Sequence, residues 1–556
     1  MTDYYDLGSH SRRITTGSAE AQTWFDRGLV WTYGFNHDEA ISCFRKAAEH
    51  DPACAMAHWG IAYAAGPNYN KQWKHFDPQD LAATLELACG AMDQAIALCA
   101  GASAAEQAII MPLTKRYPTR DANIVNPVWN DNYAAAMRET WRILGEDLDV
   151  VALTAEALMN RTPWAMWDIS QGVPADGADT IEVMQMLEKA LAQPGAMCHP
   201  GLLHMYIHLM EMSPHPERAL KAADALRDLV PDAGHLCHMA THIDVLCGQY
   251  RDVVQSNSAA IVADRKYLAR EGAINFYSLY RCHDYHFKIY GAMFLGDPEA
   301  AILAADEMVA TLPEELLRVP SPPIADWLEG FLPMKMHVLI RFGRWDDIIA
   351  TELPKDPDLY CVSTAMIHYA RAVAHAATGD VKAAESQAVL FEAARTRVPE
   401  TRYLFNNTCI DILAIAAEMM RGEIEYRKGN FDVAFAYLRR SVELDDNLPY
   451  DEPWGWMQPT RHALGALLLE QGHVEAAAAV YRADLGFDST LSRPCQHPDN
   501  VWSLFGYHDC LVRLGRSEEA HIVGRRLDMA RARASVPIEA SCFCSRNAGA
   551  ASCCCD

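Results

Sequence analysis

No run in this chain approaches ~20 consecutive apolar residues, and its N-terminus, MTDYYDLGSHSRRITTG, lacks the apolar core and small-residue cleavage pattern of a secretory signal. The expectation is a cytoplasmic protein without a membrane span. Basic residues are in short supply: 48 Lys and Arg stand against 73 Asp and Glu, a net charge of −25. A surface that acidic repels phosphate backbones and anionic lipid, which argues against nucleic acid or membrane partners. Alternating β-branched runs are missing, as are a Gly-rich phosphate loop, a nucleophile elbow and a dinucleotide fingerprint. What remains is abundant alanine, with apolar residues at spacings of three and four and with Gly and Pro between segments. That pattern predicts an all-α chain.

Cysteine is present but lacks the paired spacing of a disulfide framework. Twelve of the 17 Cys are scattered singly, as Cys89 is in LELACG, and read as reduced core thiols. The other five crowd the last 15 residues: Cys542, Cys544, Cys553, Cys554 and Cys555. A tail of such thiols suits a soft ion such as Cu(I), or CFC folds back as a sulfur ligand; a tail without a role is the competing reading.

The apolar pattern repeats. In residues 21–54, numbered from one, Trp24 is fourth, Gly28 eighth, Ala40 twentieth, Phe44 twenty-fourth, Ala47 twenty-seventh and Pro52 thirty-second. Residues 415–448 place Gly422, Ala434 and Leu438 at the eighth, twentieth and twenty-fourth positions, and residues 458–491 place Gly465, Ala477 and Tyr481 there. This resembles the tetratricopeptide repeat, a 34-residue helical hairpin whose small residues let its two helices approach and whose Pro closes the second helix. The resemblance implies a helical-hairpin solenoid, a right-handed superhelix closing around a central groove. The expected organisation is an N-terminal extension (1–20), a solenoid (21–535) with an irregular insertion near 64–130 and His-rich repeats over 200–315, and a Cys-rich tail (536–556).

The middle repeats carry HMYIH at 204–208 and HMATH at 238–242, one repeat length apart. In windows starting at 200, 234 and 282, His204, His238 and His286 fall fifth, His208, His242 and Tyr290 ninth, and His235 and His283 second. A weaker window from 329 puts His337 ninth. Positions two, five and nine share one face of a helix. In tetratricopeptide proteins that face lines the concave groove, so the resemblance implies seven imidazoles and a phenol around one groove. With 22 His in 556 residues, chance supplies about one pair at i, i+4. Matched pairs in register exceed that, although copied packing residues would give the same pattern.

Imidazole-rich, carboxylate-poor ligation suits copper, zinc or iron. Met205 and Met239 stand where a zinc protease helix carries the Glu of H-E-x-x-H, and paired Glu for a di-iron site are missing. Copper is favoured. The expected ligands are His204, His208, His235, His238, His242, His283 and His286, with His337, Cys542 and Cys544 as additional candidates and Tyr290 as the catalytic candidate. The function expected is a metal-dependent oxidoreductase acting on a small organic substrate in the groove. The alternatives are a peptide-binding scaffold, or a metal store that hands its ion to a metallochaperone.

Overall fold

The computed structural model describes residues 4–124 and 127–545. The architecture is all-α, a succession of tetratricopeptide-like helical hairpins of the solenoid type. Strand structure among the described residues is confined to two antiparallel pairs of two residues each: Trp167–Asp168 with Val173–Pro174, and Tyr403–Leu404 with Asn407–Thr408. The chain divides into two compact units. The first takes described residues from 1–243, 259–280 and 320–323; the second takes those from 244–258, 281–319 and 324–556.

The first hairpin pairs helix Ala19–Tyr33 with helix His37–His50. Ser18 caps the first helix by accepting from Ala21 N–H, and Asn36 caps the second by accepting from Glu39 N–H, so each start is written in the sequence. A β-carbon on Gly28 would stand 2.7 Å from the Phe44 ring. In the second unit, a β-carbon on Gly465 would stand 2.6 Å from Tyr481, which Gly506 of the next repeat also abuts. The eighth and twenty-fourth repeat positions are therefore the contact that sets hairpin spacing, and a large residue at the twenty-fourth leaves room only for glycine at the eighth.

Further hairpins of the first unit are Ala55–Ala65 with Pro78–Leu98 and Val128–Leu144 with Leu148–Met159. Helix Pro200–Glu211 packs on Leu148–Met159, on Thr180–Leu191 and on Ala19–Tyr33, and all twelve of its residues are buried. The second unit pairs Cys361–Ala377 with Val381–Arg395, Cys409–Arg427 with Phe431–Asp446, Thr460–Glu470 with Val474–Asp484, and Val501–Arg513 with Ser517–Arg531.

Three stretches outside the repeat register are held by local caps and by long-range contacts. Residues 64–130 hold two regular helices, Pro78–Leu98 and Ala104–Leu113, started by Asp77 with Pro78 and by the Ser103/Glu106 capping box. The stretch Pro78–Gly101 is long and apolar enough by length and composition to cross a membrane, and its helix packs on Ala55–Ala65. The segment before the first repeat is tied down, because Arg12 binds Asp147 and Asp149 and His10 reaches Asp149 at 3.1 Å. The chain from 536 to 545 is packed as well: Arg341 donates to Ser541 O at 3.3 Å, and Arg427 donates to Cys544 O. Cys553, Cys554 and Cys555 lie outside the described residues.

Candidate metal centre

Helix Pro200–Glu211 opens on Pro200, with the His199 ring accepting from Leu202 N–H, so its phase is set before His204. His204 and His208 lie one turn apart with ring centroids 4.7 Å apart. The neighbouring imidazoles come from a helix that is interrupted at Met239, between Gly234–His238 and Ala240–Leu246. There His235 and His238 stand 5.7 Å apart, centroid to centroid, and His238 and His242 4.7 Å. One nitrogen each of His204, His208 and His235 lies within 4.8 Å of the other two. Five imidazoles of the first unit are thus together, and each is essentially inaccessible to solvent. The site is closed to solvent, as all twelve residues of the helix carrying His204 and His208 are buried.

Their hydrogen bonds fix their tautomers. His204 Nδ1 lies 2.5 Å from the carbonyl oxygen of Tyr33, which can only accept. His208 Nδ1 donates to Glu211 Oε1 at 2.8 Å, and His242 Nδ1 donates to Glu211 Oε2 at 2.5 Å. The Nε2 of each of these three rings therefore carries the lone pair. The Nε2 of His204 is buried without a hydrogen-bond partner. His238 Nε2 sits 2.7 Å from His242 Nε2 and is the donor of that pair, with Thr241 Oγ1 at 3.3 Å on its other nitrogen. Ligating histidines show this arrangement, one nitrogen tied to a carboxylate or carbonyl and the other presented to the ion.

Burial holds these rings neutral. The His204 and His242 values are pushed down to about 3 by loss of solvation, and His235 falls well below its ordinary value for the same reason, with the neighbouring imidazoles adding to it. Neutral imidazole is the ligating form. Glu211 is the carboxylate bridging behind the rings. A donor set of several imidazoles with one outer carboxylate fits copper or zinc and suits magnesium or calcium poorly.

Aromatic side chains wall the site, and two adopt unusual backbone conformations. The Phe35 ring lies 4.5 Å from His204, 5.7 Å from His235 and 5.9 Å from His208. Its φ is +55°, left-handed, and Asn36 N–H bonds back to Trp31 O in the manner of a helix-ending glycine motif. The same fifteenth repeat position holds Gly248, Gly296, Gly343, Gly429 and Gly472, all at positive φ. Phenylalanine there costs about 1–3 kcal/mol of backbone strain. Trp164, at φ +60°, stacks on Tyr69, whose ring lies 4.9 Å from His208. Tyr280 closes the side toward His235 at 4.8 Å.

The remaining predicted residues belong to the second unit. His283 Nε2 stands 4.0 Å from Glu452, and its ring meets Phe405, another left-handed aromatic, at 4.8 Å. His286 packs on Phe331 and has neither ring nitrogen hydrogen-bonded; His337 packs on Trp456 at 4.8 Å. Burial pushes both down to about 3. Tyr290 donates to His497 Nε2 at 3.0 Å. Cys542 and Cys544 stand next to each other and line a cavity of about 20 Å³ with Arg341, Glu423 and Trp456.

Sequence reasoning missed Glu211's double role, Phe35, and a smaller group in the first unit, His10 and His199 on Asp149. Arg12 and the Tyr33 hydroxyl also occupy that carboxylate, which makes the group a clasp on the N-terminal segment. Phe35 was detectable as a bulky residue in a column that holds glycine in five of the aligned windows.

No family model matches the chain, and no curated protein sequence matches it. Among solved structures it is similar to the apo form of RapI, at 12% identity over 72% of this chain and 98% of that one, TM-score 0.28. It is also similar to Naa15/Naa10 bound to HypK-THB, at 13% identity over 92% and 70%, TM-score 0.23. A third is the P58(IPK) TPR domain, at 14% identity over 82% and 99%, TM-score 0.19.

Proposed function

We propose that this protein is a metal-dependent oxidoreductase whose centre is built from His204, His208, His235, His238 and His242 and which takes copper. The observation that carries the proposal is the tautomer pattern: Tyr33 O and Glu211 occupy the Nδ1 side of three imidazoles and leave their Nε2 lone pairs within one buried site. Two candidate ligand sets follow, His204 with His208 and His235, and the His238–His242 pair, and Glu211 would hold one ring of each from behind. A bound copper would supply one-electron redox chemistry and a site for dioxygen and a small organic substrate.

The chain's own residues do the rest. Glu211 and Tyr33 O hold the ring protons on Nδ1. Phe35, Tyr69 and Tyr280 keep water out and the rings neutral. The proton His238 donates to His242 is the one that would have to leave before both Nε2 atoms could serve as donors. Within the second unit, His283, His286 and His337 are candidate ligands in their own right.

The test is elemental analysis of untagged protein reconstituted with copper, alongside His204→Ala/His208→Ala and His238→Ala/His242→Ala. Each pair should lower bound copper. Equal copper in all three sinks the metal reading. Dioxygen uptake by the loaded protein with a reductant then separates an enzyme from a store. A tetratricopeptide-like solenoid is also compatible with a peptide partner; a peptide bound with equal affinity by these variants, without metal, would favour the scaffold reading.

A further inference from the structure

In the second unit a phenol, two imidazoles, a carboxylate and a guanidinium form an unbroken hydrogen-bonded line. Tyr290 Oη donates to His497 Nε2 at 3.0 Å, and His497 Nδ1 donates to Asp484 Oδ1 at 2.8 Å. Asp484 Oδ2 accepts from His462 Nε2 at 2.9 Å and from Ser503 Oγ at 2.6 Å. Arg341 donates to His462 Nδ1 at 3.1 Å. Arg341 can only donate, so His462 carries its proton on Nε2. Asp484 takes the Nδ1 proton of His497, which leaves the His497 Nε2 lone pair facing the phenol. The line runs one way, from Tyr290 toward Asp484, and all five groups are buried.

Removing an electron from a buried phenol that keeps its proton would leave a cation in a low-dielectric interior, at high cost. Removing it while the proton crosses to His497 leaves a neutral phenoxyl radical. The new charge then sits on an imidazolium already hydrogen-bonded to an anionic carboxylate, whose pKa is held well below the ordinary range, against its burial, by His462 and His497. Tyr33 lacks this exit, because its acceptor Asp149 is occupied by Arg12, His10 and His199.

A route to the surface is also present. The Phe294 ring stacks on His497 at 5.0 Å and 9°, lies 4.6 Å from Tyr290 and stacks on Tyr250 at 5.1 Å. Tyr250 and Phe294 line a cavity of about 120 Å³ whose other walls include Arg251, Arg526, Arg533 and Asp499. Three guanidinium groups against one carboxylate suit a small anionic electron acceptor.

We propose that Tyr290 is a redox-active tyrosine. A one-electron oxidant at the Tyr250/Phe294 cavity is reduced by one electron. The Tyr290 O–H bond breaks, its proton forms an N–H bond on His497 Nε2, and the return of an electron reverses both transfers. The inference goes beyond the metal reading and stands whether or not the first unit holds an ion.

The experiment uses metal-free full-length protein, mixed with hexachloroiridate(IV) and freeze-quenched for EPR. A tyrosyl signal is expected in the wild type and its loss in Tyr290→Phe, a substitution that keeps the ring and its packing. His497→Gln should shorten the lifetime of the signal, and the wild-type signal should form more slowly in D2O. An equal signal in Tyr290→Phe overturns the proposal. So does a rate unchanged in D2O, a result that does not depend on whether the His497 variant folds.

Discussion

Glu211 Oε1 accepts from His208 Nδ1 at 2.8 Å, three residues earlier on the same helix, while its other oxygen accepts from His242 Nδ1. One carboxylate therefore sets the tautomer of two imidazoles on different helices. Glu211→Gln keeps the size but offers one acceptor and one donor. One of the two rings must then turn a lone pair toward the amide and move its proton to Nε2, which cannot ligate. Copper affinity, measured by competition with a chromophoric chelator, should fall about 10–100-fold. Unchanged affinity would remove Glu211 from the site.

Phe35 occupies a backbone conformation that glycine adopts without cost. Phe35→Ala should destabilise the protein by about 3–5 kcal/mol through lost ring packing. Phe35→Gly should be less damaging than Phe35→Ala by about 1 kcal/mol, the reverse of the usual order, because it relieves the left-handed strain. Denaturant titration of the two variants decides; an alanine variant as stable as the glycine variant would contradict the strain.

The spacing of the hairpins makes two glycines behave oppositely. Gly465→Ala places a methyl 2.6 Å from the Tyr481 ring and should cost about 1–3 kcal/mol. Gly90, within helix Pro78–Leu98, has nothing within 4 Å of its missing β-carbon. Gly90→Ala should therefore stabilise by up to about 1 kcal/mol through helix propensity alone. Thermal melts of both check the contrast.

Burial pushes the Glu423 carboxyl up to about 7, with Arg427 offsetting part of that shift and Glu470 adding to it. Between its ordinary value of 4.5 and about 7 the folded chain keeps a proton that the unfolded chain has lost. The stability this group contributes is full below the unfolded value and is lost as pH rises to about 7. Glu423→Gln should match the wild type near pH 4.5 and exceed it by on the order of 2–3 kcal/mol at pH 8. A gap that does not change with pH would place the proton elsewhere.

Much of the site was legible because its grammar is local. The 34-residue register put His204, His208, His238 and His242 on one helix phase, and the windows also drew in His235. The two helices within 64–130 were not read for the opposite reason. Its caps, Asp77–Pro78 and Ser103 with Glu106, are local signals, but they stand outside the repeat register. Tyr290 was picked out by register alone; its partners His497 and Asp484 lie about 200 residues on, and no spacing rule connects them.

By itself the sequence determined the all-α class, the hairpin pairing of the in-register repeats and the phase of the imidazoles along each helix. Those follow from periodicity, from caps and from the small residues at the eighth position, all of which act over a few turns. Only the tertiary structure decided that the imidazoles are closed off from solvent, that Tyr33 O and Glu211 turn their lone pairs inward, and that a strained phenylalanine walls them. Those depend on which helix packs beside Pro200–Glu211, and burial sets both the neutral charge state and the hydrogen-bond partners.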